Sequence, residues 1–277
     1  MSPDEYCQDK AARSGSSFYY SFLFLPPPQR RAITALYAFC REVDDVVDEC
    51  SDPQLAATKL AWWRAELANL FAGRPQHPVT QALAPALAPF RLTEERLGEI
   101  VTGMEMDLTQ SRYLDFAGLE RYCYHVAGVV GLLAASIFGY QDPRTLEYAK
   151  RLGTAFQLTN IIRDVGEDAR KGRIYLPMED LRAHGVTAED ILRARHSPAF
   201  VALMRAQAAR AQAFYDRAFA ALADVDRRAQ RPGLIMAAIY RALLGEIERD
   251  GFRVLDRRTS PTPVRKLWLA TRTWIAT

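Results

Sequence analysis

The chain has 277 residues, with 36 Lys and Arg against 33 Asp and Glu, a formal net charge of +3. Hydrophobic residues make up 49% and charged residues 25%, an ordinary globular composition that excludes collagen-like and low-complexity chains. The cations are interspersed with acids rather than gathered in an aromatic-laced block, so nucleic acid is not an expected partner.

The first residues, MSPDEYCQDKAARSG, hold no apolar core of a secretory signal. Cys7, Cys40, Cys50 and Cys123 form no CxxC pair, the pattern of thiols in a reducing cytosol, and the expected location is cytoplasmic. Pro26, Pro27 and Pro28 predict a helix that begins near Gln29. Ser51-Asp52-Pro53-Gln54 predicts a capping box, and Gly73 a stop. Thr93 and Asp115 predict two further starts, and Asp142-Pro143 another after Gly139. The uncharged run after His125 has about 15 residues, below the span of a membrane helix, and predicts a buried helix. Thr187 with Asp190, and Ser197-Pro198, predict the last two starts. Between these signals apolar residues recur every three or four positions, so the chain reads as all-α with eight or more helices. No linker divides it, and residues 1–277 read as one domain.

Two of the predicted helices carry acidic stripes. In ALYAFCREVDDVVDE, Tyr37, Arg41, Asp44 and Asp48 are spaced 4, 3 and 4 and share one face. In LGTAFQLTNIIRDVGEDARKG, Gln157, Asn160, Asp164 and Asp168 do the same at 3, 4 and 4. Both helices are otherwise apolar nearly all round, and buried carboxylates require partners or a metal. Either stripe alone reads equally as a solvated helix end or as acids paired with Arg41 and Arg163. Two stripes facing each other would wall a cavity with oxygen ligands, which suit Mg²⁺, and Mg²⁺ suits phosphate. Arg41, Arg163, Lys171 and Arg173 would complete a diphosphate clamp. An apolar cavity behind such a mouth implies an isoprenoid diphosphate. A di-iron bundle needs Glu-x-x-His, and none of the four His has Glu three residues before it. Zinc lacks its His and Cys clusters.

These residues resemble the squalene and phytoene synthases. Leu152-Gly153 through Gln157, Asn160, Arg163, Asp164, Asp168, Arg173, Tyr175 and Pro177 match one signature, and Tyr122 through Gly131 the other. SSFYYSFLFLPP, KLAWWR and GMEMDL are most similar to the presqualene diphosphate synthases of bacterial hopanoid biosynthesis. The resemblance implies a class I isoprenoid-synthase helical bundle with a central cavity. It implies Mg²⁺, in unspecified number, held by Asp44 and Asp48 and by Asn160, Asp164 and Asp168. Tyr37, Arg41, Gln157 and Tyr240 are implied substrate contacts, Ser14, Ser16 and Ser17 a segment closing over a diphosphate, and Tyr122 a proton-handling or cation-stabilising group.

The implied reaction condenses two farnesyl diphosphates to presqualene diphosphate without NADPH. Phytoene, dehydrosqualene or NADPH-dependent squalene synthesis are the alternatives, and a silent scaffold protein of the same fold is the non-enzymatic one. Phe18, Tyr19, Phe22 and Phe39 are candidates for facing an allylic cation, or for plain core packing. Asp107 reads equally as a cavity residue or a helix ion pair, and Trp62 and Trp63 as packing. The basic and aromatic carboxyl-terminal stretch from Arg265 to Ile275 reads as a helix docked on the body, or as one resting on an anionic membrane near downstream enzymes.

Overall fold

The structure, a computed structural model, describes residues 1–13, 21, 22, 24–50 and 52–277. Among them are thirteen α-helices and no β-strand, only an isolated bridge between Arg112 and Ile174. In chain order they are α1 (Pro3–Arg13), α2 (Pro27–Glu49), α3 (Pro53–Phe71), α4 (Pro78–Leu83) and α5 (Glu94–Thr109). Then come α6 (Phe116–Cys123), α7 (Val129–Phe138), α8 (Arg144–Arg170), α9 (Met178–Ala183) and α10 (Ala188–Leu192). The last are α11 (Pro198–Ala221), α12 (Arg231–Arg249) and α13 (Pro263–Ala276).

Most boundaries follow the predicted caps. Thr93, Asp115, Thr187 and Ser197 each accept a backbone N–H of the first turn they open. Asp52 caps α3, accepting from the amides of Gln54 and Leu55; Ser51 lies outside the described residues. α2 begins at Pro27, two residues before the predicted start, because a proline at N1 forfeits only an N–H the helix would not use.

The predicted short apolar helix is longer. Residues Phe116–Phe138 run continuously through a π-helical turn at Tyr124–Gly128. At 23 residues it is long and apolar enough to cross a membrane, but it is a wall of the protein interior. Leu119, Tyr122 and Cys123 join the apolar cluster of α8, α11 and α12. Val129, Leu133 and Ile137 join the cluster of α2, α3 and α5. A Cβ on Gly131 would run into the carbonyl of Ala149, and one on Gly153 into that of Ala127. These two glycines let the wall and α8 approach backbone to backbone.

α8 is the central element, burying residues all round its 27-residue length. α1 packs on the outer side of α2, where Tyr6 donates to Glu42 at 2.7 Å and Lys10 bridges Glu42 and Asp45 at 2.9 and 2.8 Å. That sorts the acids of α2 into an outer pair held by α1 and the inner pair Asp44 and Asp48.

Candidate active site

Between the two apolar clusters lies a cavity of about 190 Å³. Ile33, Leu36 and Cys40 of α2 line one side and Leu152, Gly153 and Phe156 of α8 the other, with Val130 and Phe138 from the shared wall. Its polar lining includes Tyr37, Gln157 and Asn160. One helical turn further along each wall stand the acids, since Cys40 precedes Asp44 by four residues and Asn160 precedes Asp164 by four. The apolar chamber and the charged face are thus successive turns of the same two helices.

The ends of the two stripe-bearing helices are bridged. Arg173 Nη1 lies 3.2 Å and Lys171 Nζ 3.4 Å from Asp48 Oδ1, joining the end of α8 to the end of α2. Gly172, at φ +74°, reverses the chain after α8. The returning strand is then fastened to residues 111–114: Ile174 donates to the Ser111 carbonyl at 3.1 Å and Met178 to that of Tyr113 at 2.9 Å.

The charges are not evenly compensated. On α2, Arg41 reaches Asp44 at 2.5 Å and also the outer Asp45 at 2.6 Å. Burial pushes Asp44 up to about 6, and Asp48, Asp45 and Asp107 add to the shift against the pull of Arg41. On α8, Asp164 is gripped by Arg163 at 2.8 and 2.5 Å and by Arg258 at 2.8 Å. Burial opposes ionisation there too, but the two guanidinium groups hold Asp164 below the ordinary carboxylate value. Among the described residues Asp168 has no such partner. Burial, with Asp164 and Glu167 nearby, pushes it up to about 7.

Asp107 is fixed by two tyrosines. Its two oxygens accept the hydroxyls of Tyr122 and Tyr175, each at 2.8 Å. The rings of Tyr113, Tyr122 and Tyr175 stack beside it, with centroids 5.3 to 6.0 Å apart. Burial and the neighbouring Asp107 push the Tyr122 hydroxyl well above its ordinary value, so Tyr122 stands as a neutral donor.

The other predicted residues fall as follows. Asn160 Nδ2 donates to Gln157 Oε1 at 3.3 Å, while its Oδ1 is buried with no hydrogen-bond partner among the described residues. Tyr240 is buried beside Arg163, its ring 4.8 Å from that of Phe156. Arg163 is paired with Asp164, as Arg41 is with Asp44 and Asp45. Phe22 lines the cavity, but Phe39 packs edge-on against Trp63 at 5.5 Å, in the core away from it. Trp63 is buried and Trp62 sits over His77, as packing requires. Ser14, Ser16, Ser17, Phe18 and Tyr19 lie outside the described residues. Sequence spacing missed Arg258, 94 residues beyond Asp164. Its local signal is Gly166, where any Cβ would strike the Val254 and Leu255 carbonyls, so α8 accepts the 254–258 segment only at a glycine.

The donor set fits a hard cation. Asp44 and Asp168 are carboxylates that burial raises above their ordinary values, and the Asn160 oxygen is a buried acceptor with no hydrogen-bond donor among the described residues. Among the described residues no three acids, His or Cys gather closely enough to hold a metal by themselves. An ion here would therefore share its coordination with substrate oxygens, the habit of Mg²⁺ at phosphates.

The squalene/phytoene synthase family model matches residues 11–265, and the chain belongs to that family. Its members are prenyltransferases that condense two prenyl diphosphates. The chain is 37% identical to the 15-cis-phytoene synthase of Synechocystis, over 96% of this chain and 82% of that one. It is 36% identical to the chloroplastic phytoene synthase of Narcissus pseudonarcissus, over 94% of this chain but only 63% of the relative's length. Among solved structures, a dehydrosqualene synthase in complex with ligand superposes with a TM-score of 0.87 at 29% identity, covering 99% of this chain and 96% of that one. The squalene synthase HpnC of Alicyclobacillus acidocaldarius superposes at 0.81 and 30% identity, over 90% of this chain and 94% of that one. The architecture is the all-α isoprenoid-synthase fold of these enzymes.

Proposed function

We propose that this chain joins two farnesyl diphosphates head to head, giving presqualene diphosphate and free diphosphate. The observation that carries the reading is the continuity of the apolar cavity with the bridged acidic face, one turn apart on α2 and α8. A prenyl diphosphate has that same division between chain and head.

When bound at Asp44, Asp48, Asn160, Asp164 and Asp168, Mg²⁺ supplies the charge that neutralises a leaving diphosphate. The chain's own cations, Arg41, Lys171 and Arg173, add hydrogen-bond donors at the same face. The C1–O bond of the first farnesyl diphosphate breaks, and diphosphate leaves with the electron pair. The cavity around Phe22, Leu36 and Phe156 excludes water from the allylic cation. The 2,3 double bond of the second molecule attacks that C1, and loss of a proton from it closes the cyclopropane. Tyr122 is committed as a donor to Asp107, so the departing diphosphate takes the proton. Tyr122 and Tyr175 hold Asp107 in place behind the site.

A second reading, phytoene synthesis from geranylgeranyl diphosphate, is favoured by the names of the curated relatives. The silent scaffold reading is disfavoured by the survival of both stripes and their bridge.

The test is a product assay with Mg²⁺ and either farnesyl or geranylgeranyl diphosphate, each with and without NADPH, read by mass spectrometry. Presqualene diphosphate from the C15 substrate in both arms is the expected result. Squalene formed only with NADPH, dehydrosqualene, or phytoene from the C20 substrate alone would each replace it with the named alternative. No consumption of either substrate would leave the scaffold reading.

A further inference from the structure

Ten large hydrophobic side chains are exposed among the described residues, and four of them, Val264, Leu267, Trp268 and Ile275, lie on the 14-residue α13. They are not scattered around it. At 100° per residue Val264, Trp268 and Ile275 fall within about 40° of one another, with Leu267 at the flank. Their exposures are 79%, 56%, 78% and 48%, so this stripe faces solvent. The opposite side is docked: Ala270 is fully buried and Lys266 nearly so. On that inner side Trp274 stacks on Phe24 at 4.8 Å, and the Arg231 guanidinium lies 4.7 Å from its ring. The helix is therefore docked on the body by one face and apolar toward solvent on the other.

The charge around it is one-sided. Residues 253–277 hold six Lys or Arg against the single Asp256, +5 in a chain of net +3, so the remaining 252 residues are net negative. Arg257, Arg258 and Arg265 are paired with Asp250, Asp164 and Glu246. Arg272 has no acidic partner among the described residues and lies over the Trp268 ring, 5.2 Å from its centroid, at the edge of the apolar stripe.

We propose that α13 seats the protein on an anionic lipid bilayer, with the Val264, Leu267, Trp268 and Ile275 stripe in the acyl boundary and Arg272 at the headgroups. An amphipathic helix with a basic flank, already fixed to the body by its inner face, binds such a surface without the ordering cost of a free peptide. The placement also has a use. Trp274 lies against Arg231 of α12, and α12 lines the cavity through Pro232, Gly233 and Met236, so α13 is docked on a cavity-lining helix. A bilayer at α13 would lie beside the chamber that holds the apolar chains.

The test is sedimentation of the full chain with phosphatidylglycerol–phosphatidylcholine vesicles and with pure phosphatidylcholine vesicles, at low and high salt. Binding to the anionic vesicles, weakened by salt, is expected. The double variant Trp268→Ser with Ile275→Ser should bind at least about tenfold more weakly. Arg272→Ala should bind roughly fivefold more weakly. Both sites are exposed, so helical circular dichroism should be unchanged. If the double variant is misfolded, Arg272→Ala decides alone. No binding to anionic vesicles, or binding that neither variant alters, overturns the proposal. So does a concentration-dependent dimer that the double variant abolishes, because a second copy would then cover the stripe.

Discussion

Each acidic wall carries two aspartates four residues apart, yet the two walls differ in electrostatics. On α2, one arginine is divided between an inner and an outer acid, and Asp44 rises to about 6. On α8, two arginines converge on the single Asp164 and hold it ionised, while Asp168, one turn on, is left to rise to about 7. Each wall therefore has one acid that the protein itself satisfies poorly and that an added cation would complete. Equal spacing in sequence did not mean equal roles. Asp164 is a structural anion as well as a candidate ligand, whereas Asp44 and Asp168 are held in readiness.

The sharpest way to break this comparison is to neutralise one acid of each kind. Asp168→Asn removes a charge that is already poorly supported. Turnover should fall by roughly 10²- to 10³-fold, as when a main electrostatic group is lost, with the melting temperature unchanged or raised. Asp164→Ala instead strands the buried Arg163. It should destabilise the fold by about 3 kcal/mol as well as abolish turnover. Steady-state kinetics alongside chemical denaturation separates the two, and equal stability losses would show that the walls are not different after all.

The comparison also has a sign in pH. Asp44 and Asp168 have folded pKa values above those of the unfolded chain, so between about pH 4 and pH 7 the folded state binds more protons. Metal-free protein should lose stability as pH rises through that window. Asp164 runs the other way: its contribution is present above its unfolded pKa and is lost as pH falls further. Asp44→Asn with Asp168→Asn should flatten the decline between pH 5 and 7.5, followed by thermal denaturation. Mg²⁺ with inorganic diphosphate should raise the melting temperature more at pH 7.5 than at pH 5, because the ion competes with those protons. A pH-independent gain would mean that these acids do not receive it.

Much of this was legible in the residues. Capping side chains are local, so Thr93, Asp115, Thr187 and Ser197 announced their helices, and two stripes on apolar helices announced a cavity. The illegible part lay in contacts that close over long stretches of chain. The pairing of Arg163 with its neighbour Asp164 could be read either way from spacing, and only the geometry shows the two in contact. Asp107 has its tyrosine partners 15 and 68 residues away, and nothing in GMEMDL separates that arrangement from an ion pair. Phe39 sat in an aromatic-rich helix, and only packing shows that it faces Trp63 rather than the chamber.

Arg258 gives the finest test of the difference between the walls. It reaches Asp164 from a side chain 55% exposed, whereas Arg163 is 17% exposed on the same carboxylate. A solvent-exposed pair contributes little, typically under about 1 kcal/mol, so Arg258→Ala should barely move stability. Arg163→Ala, by contrast, leaves Asp164 largely buried with only the outer arginine, and should move Asp164 toward the raised state of Asp168. If compensation at Asp164 comes from the inner arginine, Arg258→Ala keeps near-normal turnover and Arg163→Ala behaves as a mild Asp164 variant. The reverse order, measured by denaturation and by the pH profile of turnover, would place control of this wall in the 254–258 segment. The α8 wall would then depend on a distant loop, as the end of the α2 wall depends on Lys171 and Arg173.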